Sequence, residues 1–516
     1  MNGAESLVRT LLASGVDVCF TNPGTSEMHF VAALDRVPGM RCVLGLFEGV
    51  VTGAADGYGR MADRPASTLL HLGPGLTNGM ANLHNARKAR TPIVNIVGEH
   101  ASDHLRHESP LRSDVPGAAA LCSDWYRVSA SGRAVAGDAA EAVAQARGGD
   151  GRIATLILPA DTAWSEADGP AAPRAPQPRP RVAPEAIAAA ARAISAGKRC
   201  ALLLSGNALR EPGLTLAGRL AAKTGVRLLS QQTVRRAERG RGRLSIHRVP
   251  IPVEPGVAML ADLEVLILIG APPPAAFFGY PGKPRLLAPA QCEIQRLAGP
   301  HDDGVHALEW LADELGAAAH APLVNQAAPL ALPADGALNA DALMQALAAT
   351  LPEQAILCDE SISSGRALFR FTDAAAPHDY LQVTGGAIGL GIPMATGAAV
   401  ACPDRKVVCL EGDGSGMYTL QGLWTQAREQ LDVVTIVLAN RGYQILRGEL
   451  KSVGIDAPGE RAKRMLDVEK PRLDWVSLAR GQGVEAVSVD TTAAFIAALK
   501  SAFARRGPFL IEACIG

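Results

Sequence analysis

Two short segments carry oxygen ligands and glycines in a pattern that could hold a phosphorylated cofactor. The apolar run KVVCL passes into EGDGSG (411–416), and the next apolar run, VVTIVLA, ends at Asn440 in NRG. One strand–helix–strand unit separates Asp413 from Asn440. Both therefore emerge at the carboxyl ends of neighbouring parallel strands, where open α/β sheets bind ligands. A carboxylate with an amide oxygen suits a hard cation such as Mg²⁺, and Mg²⁺ suits a diphosphate. Gly412, Gly414 and Gly416 carry no side chains, so backbone N–H groups at the following helix start can approach an anion. Asp-Gly is also an ordinary turn dipeptide; the matched Asn440 lifts the pattern above that reading.

A second candidate is Glu48, which follows RCVLGLF and opens GVVTGAADGYGR. An acid at a helix start is favoured by the macrodipole whatever its function. Behind it, Gly49, Gly53 and Gly57 recur on one helix face, each costing about 1 kcal/mol relative to Ala, so a close helix contact is expected there. NPGTSE (22–27) and LLHLGPGLTNG (69–79) also follow apolar runs and can bring Thr25, Ser26 and His71 to the same sheet edge. His71 ends its strand, a position that makes it a candidate for proton transfer. His100, His104 and His107 have helical spacing but no cysteine partner; they read as loop histidines, with His100 placed to face the site.

These residues need sheets to carry them. Strand-like runs occur at 16–20, 41–47, 67–71 and 92–98, then at 201–206, 226–230 and 263–270, and finally at 354–360, 406–412 and 433–440. Helix-length segments separate them, the pattern of parallel sheets covered on both faces. A proline-rich stretch from Gly169 to Pro184 and a milder one from Ala321 to Gly336 punctuate the chain. The expected organisation is α/β, with three doubly wound parallel-sheet domains at 1–168, 185–320 and 335–516. The uncharged stretch Leu381 to Cys402 is too rich in glycine for a membrane span and reads as a buried turn and helix.

The composition excludes several classes. In 516 residues, 50 Lys+Arg balance 51 Asp+Glu, which argues against nucleic acid and a polybasic membrane surface as partners. Nine cysteines, an odd number with no C-x-x-C pair, suggest neither zinc nor disulfides and fit a cytoplasmic protein.

Together, NPGTSE, LFEGVVTGAADGYGR, GPGLTN, GGAIGLGIPMATGAA (385–399) and GDGSG with Asn440 resemble the thiamine-diphosphate-dependent decarboxylases and carboligases, the group of acetolactate synthase and benzoylformate decarboxylase. The likeness spans nearly the whole chain, with the segments in the family's order. It implies a pyrimidine-binding domain first, a middle domain, and a diphosphate-binding domain last. It implies that Glu48 meets the aminopyrimidine N1′ of the cofactor, and that Asp413, Asn440 and the Gly442 carbonyl hold Mg²⁺. Gly412, Gly414, Ser415, Asn440 and Gly442 would line the diphosphate. Ile388 would be the bulky apolar residue that bends the cofactor, with backbone near Gly386 at the 4′-amino group. Thr25 and His71 would orient a substrate carboxylate and move protons. A carboxyl group at N1′ favours the tautomer whose 4′-nitrogen can take the C2 proton, and the cofactor then accepts the electrons released with CO₂. Because Glu48 and Asp413 fall in different domains, the resemblance implies a homodimer or homotetramer with active sites at the subunit interface, the glycine stripe offering a contact surface.

The chain departs from the family in ways that bear on the reaction. Thr25 stands where a serine is usual, and no second active-site histidine appears in the late middle domain. APPPAAFFGYPGKP (271–284) offers Phe277 and Phe278 there instead, which makes that wall apolar. Arg441 replaces a second Asn, and the tryptophan expected downstream is missing. The middle domain has no G-x-G-x-x-G, so FAD is not expected. The resulting expectation is a thiamine-diphosphate- and Mg²⁺-dependent decarboxylase of a small 2-oxo acid, benzoylformate decarboxylase-like. An acetolactate synthase-like carboligase is the alternative. From another class, a catalytically silent cofactor-binding or regulatory protein is opposed by the intact Glu48, Asp413 and Asn440.

Overall fold

The computed structural model describes residues 1–515. Strands β1 (Val18–Thr21), β2 (Arg41–Leu44), β3 (Ala66–Leu70), β4 (Ile93–Glu99), β5 (Trp125–Val128) and β6 (Ile153–Pro159) form one sheet in the order β2-β1-β3-β4-β6-β5. All its pairs are parallel. Next come β7 (Cys200–Leu204), β8 (Arg227–Ser230), β9 (Ala237–Arg239), β10 (His247–Arg248), β11 (Val265–Ile269) and β12 (Glu293–Ala298). All but β9 make a second parallel sheet, ordered β10-β8-β7-β11-β12. The last sheet takes β13 (Ile356–Glu360), β14 (His378–Gln382), β15 (Val407–Gly412), β16 (Val433–Ala439), β17 (Glu485–Val489) and β18 (Phe509–Cys514) in the order β17-β18-β16-β15-β13-β14-β9. The central strands are buried at every position, as in β4, β6 and β11, because helices cover both faces. The architecture is α/β with three sheets, two wholly parallel and the last parallel but for one edge.

That edge is β9, which leaves the middle segment and pairs antiparallel with β14. Apolar periodicity does not reveal it, because charge holds it in place. Arg236 meets Asp379 at 2.6 Å, Glu238 meets Arg210 at 2.7 Å, and the Arg239 guanidinium lies 3.6 Å from the Phe369 ring centroid.

The glycine stripe has its close contact inside the chain. Helix Glu48–Ala62 packs on helix Gly391–Ala401, and both are buried along nearly their whole length. A methyl group on Gly53 would lie 2.6 Å from Pro393 Cβ, one on Gly57 would overlap the Met394 carbonyl, and one on Gly397 would overlap the Ala54 carbonyl. Backbone thus touches backbone from both sides. The stripe therefore does not serve as the intersubunit surface expected above: the chain's own last sheet occupies it. The stretch Leu381 to Cys402 is indeed a buried turn and helix, and among the described residues no helix is long and apolar enough to cross a membrane.

The Asp56–Arg60 pair, fully buried at 2.6 Å, reinforces this junction. Arg60 also donates to the Gln382 carbonyl at 2.7 Å and to the Arg235 carbonyl at 3.3 Å, so one side chain touches all three sheet units.

Two stability predictions follow from this packing. Gly57→Ala should cost about 2–3 kcal/mol in denaturant unfolding because neither backbone can yield. Gly448→Ala, in helix Gln444–Ser452 with nothing within 4 Å of its added methyl, should instead gain up to about 1 kcal/mol; equal effects would refute the contact. His378 supplies a pH test. Burial first, and then Arg239, hold its imidazole down to about 3 from the usual 6.5, while Nδ1 donates to the Ala376 carbonyl at 2.8 Å. The unfolded chain binds a proton there that the folded chain refuses. This contribution is therefore complete above pH about 6.5 and lost as pH falls towards 3. His378→Asn should flatten that part of the Tm–pH profile.

Candidate active site

Glu48 opens its helix beyond β2 and is 7 % exposed. Its carboxylate is held by amides rather than cations. Asn22 donates to Oε1 at 3.3 Å from the turn after β1, and Asn78 donates to Oε2 at 3.0 Å from the helix that follows β3. Both asparagines lie in motifs already singled out, NPGTSE and GPGLTN, but only the fold shows them flanking Glu48. The acid is fixed in direction and left without a neutralising partner.

His71 sits at the end of β3 and caps helix Leu72–Ala89. Its Nδ1 faces Glu27 Oε2 at 2.9 Å and Ser26 Oγ at 3.3 Å, and Ser26 in turn donates to Glu27 Oε1 at 2.5 Å. Glu27 is buried and also accepts the Gly24 N–H at 2.9 Å. This carboxylate–imidazole pair fixes the ring and leaves Nε2 without a partner among the described residues. Thr25 is exposed at the start of the turn Thr25–Glu27, whereas the neighbouring Ser26 makes the contact with His71. Glu27 was missed in the sequence because its partner lies in another motif. His100 lies in the loop after β4, where Ser109 engages Nε2 at 3.2 Å, and its ring sits tilted beside that of His104 with centroids 5.5 Å apart.

The loop around Ile388 is pinned from the first sheet unit. Asn82 donates to the Gly49 carbonyl at 2.8 Å and the Gly389 carbonyl at 3.1 Å, bridging the start of the Glu48 helix and this loop. Asn85 reaches the Ala387 carbonyl at 2.7 Å and accepts the Ala387 N–H at 3.2 Å. Ile388 is partly buried. Gly386 is exposed with φ +77°, and a methyl group there would sit 2.9 Å from Phe277 Cζ. Phe277 and Phe278, 51 % and 57 % exposed, pair edge-on at 4.8 Å and bring an aromatic wall beside the loop.

At the far end, Asp413 and Asn440 emerge from adjacent strands, where Gly412 of β15 pairs with Leu438 of β16. Asp413, 4 % exposed, accepts the Gly414 N–H at 2.9 Å and the Arg441 N–H at 2.6 Å. It has no ion pair among the described residues, and burial pushes its carboxyl above the usual range. Asn440 Nδ2 donates to Ser364 Oγ at 3.0 Å, and its Oδ1 accepts the Gly442 N–H at 3.2 Å. The Gly442 carbonyl accepts the Gln444 N–H at 2.9 Å and keeps a second lone pair. A hard cation fits this set, because one carboxylate, an amide oxygen and a backbone carbonyl are what Mg²⁺ takes besides phosphate. No group of three or more His, Cys, Asp or Glu among the described residues offers another metal site.

The loop itself differs from expectation in one respect. The α-helix does not start after GDGSG; a short turn, Gly416–Tyr418, intervenes before helix Gly422–Arg428. Glycines are poor helix formers, and aromatic rings crowd them here. A methyl group on Gly414 would lie 2.6 Å from Tyr443, and one on Gly416 would lie 2.7 Å from Trp475. Ser415 is buried and donates to Glu411. Beneath both loops lie two buried acids, Glu360 at the end of strand β13 and Glu411 one residue before the end of β15. Burial raises both carboxyls, Glu360 to about 7. An acid ending each apolar run was the signal available in the sequence; that the two face each other was not.

Doubly wound sheets that present a buried acid, a pinned apolar loop and a carboxylate–amide pair at strand ends are the frame of a cofactor-dependent enzyme. The profile of the thiamine pyrophosphate enzyme N-terminal TPP binding domain matches residues 1–115, and that of the C-terminal TPP binding domain matches residues 363–513. The chain belongs to this family of thiamine-diphosphate-dependent enzymes. It is 49 % identical over 516 residues to a Mycobacterium tuberculosis protein provisionally named acetolactate synthase large subunit IlvX, covering 100 % of this chain and 99 % of that one. It is 29 % identical to benzoylformate decarboxylase of Pseudomonas aeruginosa over 96 % of each chain. Among solved structures, the thiamine diphosphate-dependent 4-hydroxybenzoylformate decarboxylase of Rhodococcus jostii RHA1 superposes with a TM-score of 0.86 at 25 % identity, over 100 % of this chain and 99 % of that one.

Proposed function

We propose that the chain is a Mg²⁺-dependent 2-oxo acid decarboxylase acting on substrates with a bulky apolar side chain. In this reading Glu48 holds a proton at the cofactor's N1′, and Asp413, Asn440 Oδ1 and the Gly442 carbonyl hold the cation. The observation that carries it is the uncompensated Glu48 carboxylate, oriented by Asn22 and Asn78 and bridged through Asn82 to the Ile388 loop. Thiamine diphosphate, when bound, supplies the electron sink that makes loss of CO₂ from a 2-oxo acid feasible.

The chain's own residues divide the remaining work. Ile388, partly buried, would give the cofactor an apolar support, and the exposed backbone at Gly386 would be open to its 4′-amino group. Gly412, Gly414 and Ser415 offer a close backbone approach to the diphosphate. His71, with Nδ1 held by Glu27, has Nε2 available to orient the substrate carboxylate and move a proton, assisted by Thr25 or Ser26. Phe277 and Phe278 exclude water from the side of the substrate and favour apolar groups.

Two copies complete the site in this reading. The hydrogen-bond partners of Glu48 all come from the first sheet unit, and those of Asp413 all come from the last. Phe277, Phe278, Met417 and Tyr418 leave an exposed apolar patch near the loops, suited to burial against a second copy. The free state of all nine cysteines supports a cytoplasmic location. An acetolactate-forming carboligase is the second reading, favoured by the name of the 49 % identical relative.

Three measurements test this. Glu48→Gln should slow C2–H exchange of bound cofactor by about 100-fold or more with little change in its affinity; unchanged exchange would remove Glu48 from the proton path. Product mass spectrometry with pyruvate, benzoylformate and branched 2-oxo acids should show fastest CO₂ release from the bulky substrates, abolished by chelation and restored by Mg²⁺. Acetolactate as the main product would favour the carboligase, and no turnover of any substrate would mark a silent protein. Sedimentation should give a dimer or tetramer; an active monomer would contradict the shared site.

A further inference from the structure

We propose that the Tyr280–Glu449 hydrogen bond holds the Phe277–Phe278 wall over the site, making both partners positioning residues that set which substrate side chains are accepted. This deepens the reading above, since it takes the Gly386 loop to face the cofactor and the two phenylalanines to face the substrate. Tyr280 Oη donates to Glu449 Oε2 at 2.9 Å across 169 residues of chain. The bond joins the loop after β11 to helix Gln444–Ser452 of the last sheet unit.

Little else fixes either element against the other. The loop is closed at its base, where the Ala276 N–H reaches the Arg285 carbonyl and the Leu287 N–H reaches the Pro274 carbonyl, each at 2.9 Å. Lys283 pairs with Glu254 at 2.5 Å, but that partner is exposed and belongs to the same middle segment. Phe277 and Phe278 are exposed, and Tyr280 is partly buried. Helix Gln444–Ser452 has no buried residue. Its side chains make one other hydrogen bond among the described residues, from Ser452 to the Gly448 carbonyl inside the helix. No buried face sets the helix, so the bond between units governs its position more than it would in a packed core.

Aromatic contacts carry the restraint to the wall. The Tyr280 ring meets Phe278 edge-on with centroids 6.4 Å apart, and Phe278 meets Phe277 edge-on at 4.8 Å. Edge-to-face rings prefer a defined mutual orientation, so fixing the first restricts the other two. Phe277 ends at the Gly386 backbone, where an added methyl would lie 2.9 Å from Cζ. On the opposite side, the helix follows directly on Tyr443, the residue that crowds Gly414. The bond therefore runs between the aromatic wall and the segment carrying Asn440 and Gly442. Burial first, and then Glu449, push the Tyr280 phenol above its usual range, so it stays a donor.

Three substitutions separate this role from general packing. Tyr280→Phe deletes the donor and keeps the ring, Glu449→Leu deletes the acceptor, and Glu449→Gln keeps an acceptor without the charge. In the full chain, Tyr280→Phe and Glu449→Leu should each speed amide hydrogen exchange about tenfold, both in helix Gln444–Ser452 and at Ala276 and Leu287. Their combination should add nothing further, and Glu449→Gln should stay within about threefold of wild type. A change confined to the substituted segment, or additive effects in the double variant, would overturn the bond as the tie. With thiamine diphosphate and Mg²⁺ supplied, the kcat/KM preference for benzoylformate over pyruvate should fall about tenfold in Tyr280→Phe and Glu449→Leu. The loss should appear in KM, with kcat within about threefold, and Glu449→Gln should restore the preference. An unchanged preference, or a loss confined to kcat, would overturn the selecting role. If the wild-type chain releases CO₂ from no 2-oxo acid, the decarboxylase reading falls and the selecting role with it, whereas coupled exchange of the two segments would still uphold the tie.

Discussion

The junction of helices Glu48–Ala62 and Gly391–Ala401 is the constraint on which the rest of the molecule depends. Gly57 meets the Met394 carbonyl and Gly397 meets the Ala54 carbonyl, so two backbones approach as closely as atoms allow. Helices normally cross at 8–10 Å, set by their side chains. Removing those side chains draws the first and last sheets together and brings the start of the Glu48 helix within reach of the Ile388 loop through Asn82. A glycine stripe that costs helix propensity is stabilised here by the tertiary contact it permits.

Apart from the Glu27–His71 pair, negative charge in the site is managed without basic side chains. Glu48 relies on two asparagine amides, Asp413 on backbone N–H groups, and Glu360 and Glu411 on backbone N–H groups and a serine. Arginines are concentrated instead at the junctions between sheets, where Arg60, Arg236 and Arg239 pair with acids. A carboxylate already paired with Lys or Arg would be a poor cation ligand and a poor proton partner. Keeping the two kinds of network apart leaves the site acids available for chemistry.

Backbone strain is found at the same strand ends. Leu72, Ile362 and Arg441 adopt φ values of +47°, +48° and +60°, conformations that side chains other than glycine seldom accept. Leu72 follows His71, Ile362 follows the Glu360–Ser361 pair, and Arg441 follows Asn440. In each case the chain turns sharply after a parallel strand so that the last side chain stays at the sheet edge. The Arg441 turn also delivers its N–H to Asp413. Strain of this kind persists where surrounding contacts over-determine the turn, and it concentrates at functional sites.

The ten apolar runs are strands of the three sheets, and Asp413, Asn440, Glu48 and His71 all lie at or just beyond their ends. That much was legible because strands buried on both faces must be continuously apolar and parallel units place ligands at their carboxyl ends. Strand β9 was illegible because ion pairs hold it in place of an apolar face. The turn before helix Gly422–Arg428 was hidden because rings distant in sequence crowd its glycines. The sequence by itself determined which residues could do chemistry and on which type of element they stand, since both follow from local pattern. Only the tertiary structure decided that the glycine stripe meets its own chain, that Glu27 rather than solvent orients His71, and that Glu360 faces Glu411. Each of these joins residues whose separation along the chain leaves no periodic trace, so the folded packing alone brings them together.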